Sequence, residues 1–341
     1  MRHTITLVGA VALASNGVFA SVHGQELRPV SSIAAPLEAM REHVLEDPAP
    51  VVSTLDGCVT VHDVWKPQVL ALHRTPARSA ARVAAFEADV RRPYAELWKA
   101  YIGPSHAFAQ WVRDVLQVEH DPRSRLPVEL SLADLIAETT SGMMAYTGRR
   151  GCGEWYALFG PGSTDMGSLG NGRIVIDFLG MPDNTNIDDI RVTLAHEVNH
   201  LMFAERRQHD PDAGTVLYRM IDEGFAAYVA HHFSGMPGSP AHALSWTEEE
   251  LTWALRHERE LWAMLRRYFH SSHPDVFDVF FMYDQHVQPE APGKIGYFLG
   301  YRIIESYVKR HGPDSWRGLY DMDVARILDE SRLGARWWMR N

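Results

Sequence analysis

Two histidines four residues apart, with a glutamate directly after the first, stand in the stretch DDIRVTLAHEVNHLMFAERR, residues 188–207: His196-Glu197-x-x-His200. On a helix, positions i and i+4 lie one turn apart on the same face, so both imidazoles can aim at one ion. Glu197 falls about 100° round from His196, beside such an ion and not on it. From there a carboxylate can act as general base toward a metal-bound water. The plain alternative is an amphipathic helix whose His and Glu are merely solvated.

A zinc ion used in catalysis takes three protein ligands and keeps one position open. A third ligand must therefore come from another element. His209 follows His200, but not at the spacing of a third histidine on an extended motif. Downstream, IDEGFAAY places Glu223 on a second helical run, with Ile221, Phe225 and Tyr228 around it. A carboxylate on a mostly apolar helix needs a partner, and a metal is a good one. Asp222 is the rival ligand. We prefer Glu223, with Asp222 accepting from a histidine N–H.

The elements that would position these groups are legible from periodicity. The apolar spacing of Ile190, Leu194, Val198, Leu201 and Met202 predicts a helix for the first motif, with Asp188 and Asp189 in its positive first turn. Further helices are expected at 78–102, 131–146, 215–233, 245–269 (with Ser245 as N-cap), 293–312 and near 323–333. Residues 52–64 read as a strand or hairpin, and 154–160 and 172–180 as strands. The Gly-rich PGSTDMGSLGN separates the last two, with Asn171-Gly172 as a turn. Residues 21 to about 50 read as an extended entry. The fold class is α+β: a small sheet with the motif helix, then a mainly helical lobe.

The chain has 341 residues, 46% hydrophobic and 22% charged, with a formal net charge of -10. That composition supports a large core. A mildly acidic chain without a Lys/Arg cluster argues against nucleic acid and anionic membrane surfaces as partners. Met1–Ala20 pairs a basic start with a short apolar run ending in Val18-Phe19-Ala20, a secretory signal pattern. We therefore expect cleavage after Ala20 and a periplasmic or secreted protein. No cysteine directly follows the apolar run, so a lipid anchor is not expected, nor is a membrane segment in the mature chain. Cys58 and Cys152, an even pair in an exported chain, are expected to form a disulfide. The expected organisation is residues 1–20 as signal peptide, 21–145 as an N-terminal α+β region, and 146–341 as the region carrying the metal chemistry.

The combination of LAHEVNH with a later Glu-Gly-x-Ala resembles the gluzincin type of zinc peptidase. LAHEVNH, MIDEGFAAYVA, GKIGYFLGYRII and ILDESRL together resemble a bacterial family of predicted zinc-dependent proteases, over roughly residues 150–335. The resemblance implies a gluzincin-like fold, with Zn2+ on His196, His200 and Glu223 and Glu197 as base. It also implies a peptide or protein substrate lying along an edge strand, for which GRIVIDFLG (172–180) is placed. Tyr297 and Tyr301, one helical turn apart, are the candidate donors to an oxyanion, against the plainer reading of core tyrosines. The function expected from all of this is an exported zinc metallohydrolase, a peptidase first. A silent zinc- or peptide-binding protein and a hydrolase of a non-peptide amide or ester are the alternatives. The exported form is expected to begin at Ser21; N-terminal sequencing of the periplasmic or secreted fraction checks this, and an intact Met1 on a cytoplasmic protein would overturn it.

Overall fold

The computed structural model describes residues 35–335 except 115–117, 119, 120, 184, 236 and 237. The signal segment and most of the expected extended entry lie outside the described residues. The remainder of that entry is not extended: α1, Ala35–Glu46, is helical. Next come β1 (Val51–Thr54) and β2 (Val59–Asp63), an antiparallel hairpin. Helices α2 (Trp65–Arg74), α3 (Ala80–Phe86), α4 (Ala95–Tyr101), α5 (Ser105–Asp114), α6 (Leu126–Glu129) and α7 (Leu132–Thr147) lead to β3 (Gly153–Leu158). Strands β4 (Met166–Gly170) and β5 (Arg173–Asp177) follow. The rest is helical: α8 (Ile187–Arg207), α9 (Val216–Phe233), α10 (Glu248–Leu265), α11 (Pro274–Phe281), α12 (Ile295–His311) and α13 (Val324–Ser331).

The sheet order is β1-β2-β3-β5-β4. β2, β3 and β5 run parallel, while β1 and β4 are antiparallel edges. Trp155, Ala157, Ile174, Val175 and Ile176 are fully or almost fully buried, as parallel strands covered on both faces require. The sheet draws strands from both sides of residue 145, and a Cys58–Cys152 disulfide joins the β1–β2 hairpin to the start of β3. The architecture is thus α+β, with a small mixed sheet and mostly helical content.

Four sequence expectations change. The continuous helix at 78–102 is broken: a π turn at Glu87–Arg91 precedes Pro93, which has no N–H to donate and whose ring crowds the carbonyl four residues back. Ser245 is not an N-cap; its φ is +57°, closing a short 3₁₀ turn. Thr247 caps α10 instead, in a reciprocal capping box with Glu250. The Gly-rich separator contains the strand β4, which poor strand formers make only because β5 supplies the hydrogen-bonding partner. Asn171 and Gly172, both at positive φ, turn the chain between them. As a result β5 is not an edge: β3 and β4 occupy its two sides, leaving its backbone unavailable to an added peptide strand.

At the end of β5, Asp177 is fully buried and accepts four hydrogen bonds: from Gly160 N (2.8 Å), Gly162 N (2.8 Å), Leu179 N (3.0 Å) and Tyr101 Oη (2.7 Å). It thereby fixes the turn leaving β3, the turn leaving β5 and α4 in one place. In Asp177→Asn the new amide would face a backbone N–H. We expect a loss of about 1–3 kcal/mol in urea unfolding, the cost of a buried donor left without an acceptor.

Candidate functional site

The expected motif helix exists as α8, and α9 returns against it. Thr215 caps α9 by accepting from Tyr218 N, and residues 216–230 are buried on every side. A charged side chain in such a helix must meet its partners inside the protein. Glu223 does so. Its Oε2 lies 3.1 Å from His196 Nε2 and 3.3 Å from His200 Nε2, and the two Nε2 atoms are 3.0 Å apart. Its other oxygen, Oε1, accepts from buried Arg219 at 2.8 Å. His200 Nδ1 meets Asp222 Oδ1 at 2.8 Å. A carboxylate can only accept there, so Nδ1 carries a proton and Nε2 is the nitrogen that faces the cluster, where it would offer a lone pair to a metal on giving up its own proton.

Two imidazole nitrogens and one carboxylate oxygen thus converge in a triangle with edges of 3.0–3.3 Å. Ligand bonds of about 2.0–2.1 Å in tetrahedral array give ligand–ligand separations of roughly 3.3 Å, so the donor set suits a small divalent ion in both chemistry and spacing. Asp222, on His200, stands where a residue orienting a metal-bound imidazole stands.

Burial disfavours a charged His196 and lowers its pKa. Burial acts the same way on His200, but the carboxylates of Asp222 and Glu223 outweigh it and hold its pKa well above the usual value. Burial opposes ionisation of Glu223 as well; Arg219 and His200 overcome it and keep the group anionic.

Glu197 is 3% exposed, and its Oε2 has no hydrogen-bond partner among the described residues. Burial pushes its pKa up to about 7. With His196 it lines a cleft of about 380 Å³ bounded by α8, the approach to β4 (Asp165, Met166) and the segment leading into α12 (Lys294, Tyr297). The two tyrosines separate. Tyr297 is buried and stacks on His196, centroids 6.0 Å apart and planes at 14°. Tyr301 does not line the cleft; its hydroxyl bonds His231 Nδ1 at 2.8 Å.

Arg219 and Lys294 were not singled out from the sequence. Arg219 was findable, lying four residues before Glu223 on the same apolar helix, the spacing of an ion pair. Lys294 had no local signal, because its placement depends on the packing of segments far apart in the chain.

Residues 186–333 match the family model described as gliding motility protein GldB, a segment covering less than half of the chain. No curated protein and no solved structure matches. The match corrects the family expectation: the region carrying LAHEVNH and MIDEGFAAYVA is similar to a gliding motility family and not to a zinc protease family. The peptidase function and the metallohydrolase enzyme class, expected from the motif together with that resemblance, are contradicted by this match. The letters H-E-x-x-H specify a metal-binding geometry, and function does not follow from such a geometry alone.

Helix α12 is held against α9 through glycines. A Cβ on Gly224 would come within 2.1 Å of Gly300 C, and one on Gly300 within 1.8 Å of Met220 O. The backbones touch there, which fixes the height of Tyr297 against His196. Gly300→Ala should therefore cost about 1–3 kcal/mol or more by overpacking. Gly318→Ala, where a Cβ meets nothing within 4 Å, is the control and should leave stability nearly unchanged. Urea midpoints of the two variants decide between them, and equal midpoints would overturn the close-contact reading.

Proposed function

We propose that this is an exported envelope protein, related in its C-terminal half to gliding motility protein GldB, that holds one Zn2+ on His196, His200 and Glu223. The observation that carries the metal assignment is the triangle of Nε2, Nε2 and Oε2, with its 3.0–3.3 Å edges inside the protein. Arg219 and Asp222 support it by holding Glu223 and His200 in the orientations a metal would need. The order of elements agrees with a gluzincin-like arrangement of the site: an antiparallel edge strand at the cleft, a helix with two histidines, and a second helix with a glutamate.

Export is supported by the similarity to GldB, by the Cys58–Cys152 disulfide and by the pattern ending at Ala20. No helix among the described residues is long and apolar enough to cross a membrane. The role proposed for the ion is to hold α8 and α9 together around a cleft that binds a ligand.

Elemental analysis of the purified protein, equilibrated with zinc and passed through gel filtration, should give close to one zinc per chain. His196→Ala, His200→Ala and Glu223→Ala should each lose most of it. Glu197→Gln should retain it, although the carboxylate of Glu197 lies within 4.8 Å of the histidine nitrogens. A zinc-free wild type would sink the metal assignment. Loss of zinc from Glu197→Gln with retention in Glu223→Ala would reassign the third ligand.

A further inference from the structure

The cleft beside the cluster contains a cation that the metal site does not use. Lys294 is half-buried and lines the same cleft as His196 and Glu197. Its Nζ stands 5.1 Å from the ring centroid of Tyr297 and 5.9 Å from that of Tyr283. No carboxylate among the described residues pairs with it within 4.0 Å. Three of the four acids that line the cleft, all but Glu197, are engaged elsewhere. Asp165 accepts from Met166 N, and Asp189 accepts from Asn186 N and pairs with His242. Glu250 closes the capping box of α10.

The backbone around Lys294 is built for that placement. Lys294 has φ +56°, a conformation costly for a non-glycine residue, at the N-cap of the 17-residue α12. Its N–H donates to Met282 O at 3.1 Å, and the preceding carbonyl, Gly293 O, accepts from Trp246 Nε1 at 3.0 Å. A Cβ on Gly293 would come within 2.0 Å of Tyr283 O, so the chain can make this approach only with glycine there. Strain and three long-range constraints therefore present one ammonium to the cleft, together with the positive end of α12. In the same cleft Glu197 Oε2 is buried without a hydrogen-bond partner among the described residues. The remaining wall includes Met166, Met181, Ile190, Val192 and Trp246, which are apolar.

We propose that this cleft binds a small molecule or chain end with an oxyanion head and an apolar body. The head lies on Lys294 Nζ toward His196, and the body lies against the methionines and Trp246. The proposal rests on the metal reading for the second positive centre facing the head. A carboxylate and a phosphate share the head chemistry, and the apolar wall favours an acyl chain bearing it. Inorganic phosphate tests the head alone, and octanoate tests head and body together.

Octanoate, acetate and inorganic phosphate are titrated calorimetrically into the zinc-equilibrated full chain, with zinc measured on every sample. Octanoate should bind more tightly than acetate or phosphate. Lys294→Met should weaken octanoate about tenfold or more at unchanged zinc content, the expected effect of losing one charge-assisted contact. Lys294→Arg should restore most of the affinity, which separates a lost charge from a damaged fold. Wild-type affinity in Lys294→Met, failure of octanoate to bind the zinc-loaded protein, or phosphate binding more tightly than octanoate each overturns the proposal. If the protein takes up no zinc, the metal assignment fails by itself. The comparison of wild type with Lys294→Met on the protein as purified still decides the oxyanion site.

Discussion

A carboxylate that is 1% exposed in the middle of an apolar helix constrains most of what surrounds it. Removing Glu223 from water is costly unless charge and hydrogen bonds meet it on arrival. Arg219 answers on one oxygen, and the two histidines of α8 stand at the other. Arg219 sits one turn earlier on the same helix, so part of the compensation is local. The histidines are not local. They require α8 to lie alongside α9 in one register, and Asp222 reinforces that register by holding the far nitrogen of His200. One neighbouring buried oxygen, the Oδ1 of Asn199, follows the same logic. Asn199, fully buried on α8, accepts from Tyr320, tying the motif helix to the segment before α13.

The glycines explain why the third wall of the site is where it is. With backbone contact at Gly224 and Gly300, α12 cannot rise away from α9, and Tyr297, one turn before Gly300, is pressed onto the face of His196. The glycine next to Glu223 is thus a packing requirement and not a chemical one. The same holds for Gly296, where a Cβ would enter the ring of Phe281. Small residues set the spacing of helices, and that spacing decides which side chains share a cleft.

Much of this was readable from residue order, because the signals concerned are local. The period of Ile190, Leu194 and Val198 defines α8; Lys309, Arg310, His311 and Gly312 mark the end of α12; Asn171-Gly172 marks its hairpin. What escaped depends on partners distant in sequence. β4 is a strand by virtue of β5, since Gly167, Ser168 and Gly170 carry no strand preference of their own. The interruption after Phe86 was signalled by Pro93, but the apolar repeat on both sides of it outweighed that signal. α1 lay in a stretch of weak periodicity that was read as extended. Asp177 gathers donors from three segments, and Lys294 is aimed by Met282, Tyr283 and Trp246, none of which adjoins it in sequence.

The functional expectation failed for a different reason. His196, Glu197, His200 and Glu223 describe how an ion can be gripped, and a geometry of that kind recurs on proteins of unrelated purpose. The residues that would distinguish a hydrolase from a binding protein lie in the walls of the cleft, outside the metal motif. Here the walls place Tyr297 in stacking contact with His196, turn Tyr301 away toward His231, and bring in a lysine that no carboxylate within 4.0 Å neutralises among the described residues. The edge beside the cleft is the short strand β4, which carries a register shift between Ser168 and Gly170, so only a few ladder positions face outward there. Lys294 shares that cleft with Asp165, Asp189, Glu197 and Glu250, and the anionic ligand proposed above depends on three of those acids being held by other partners.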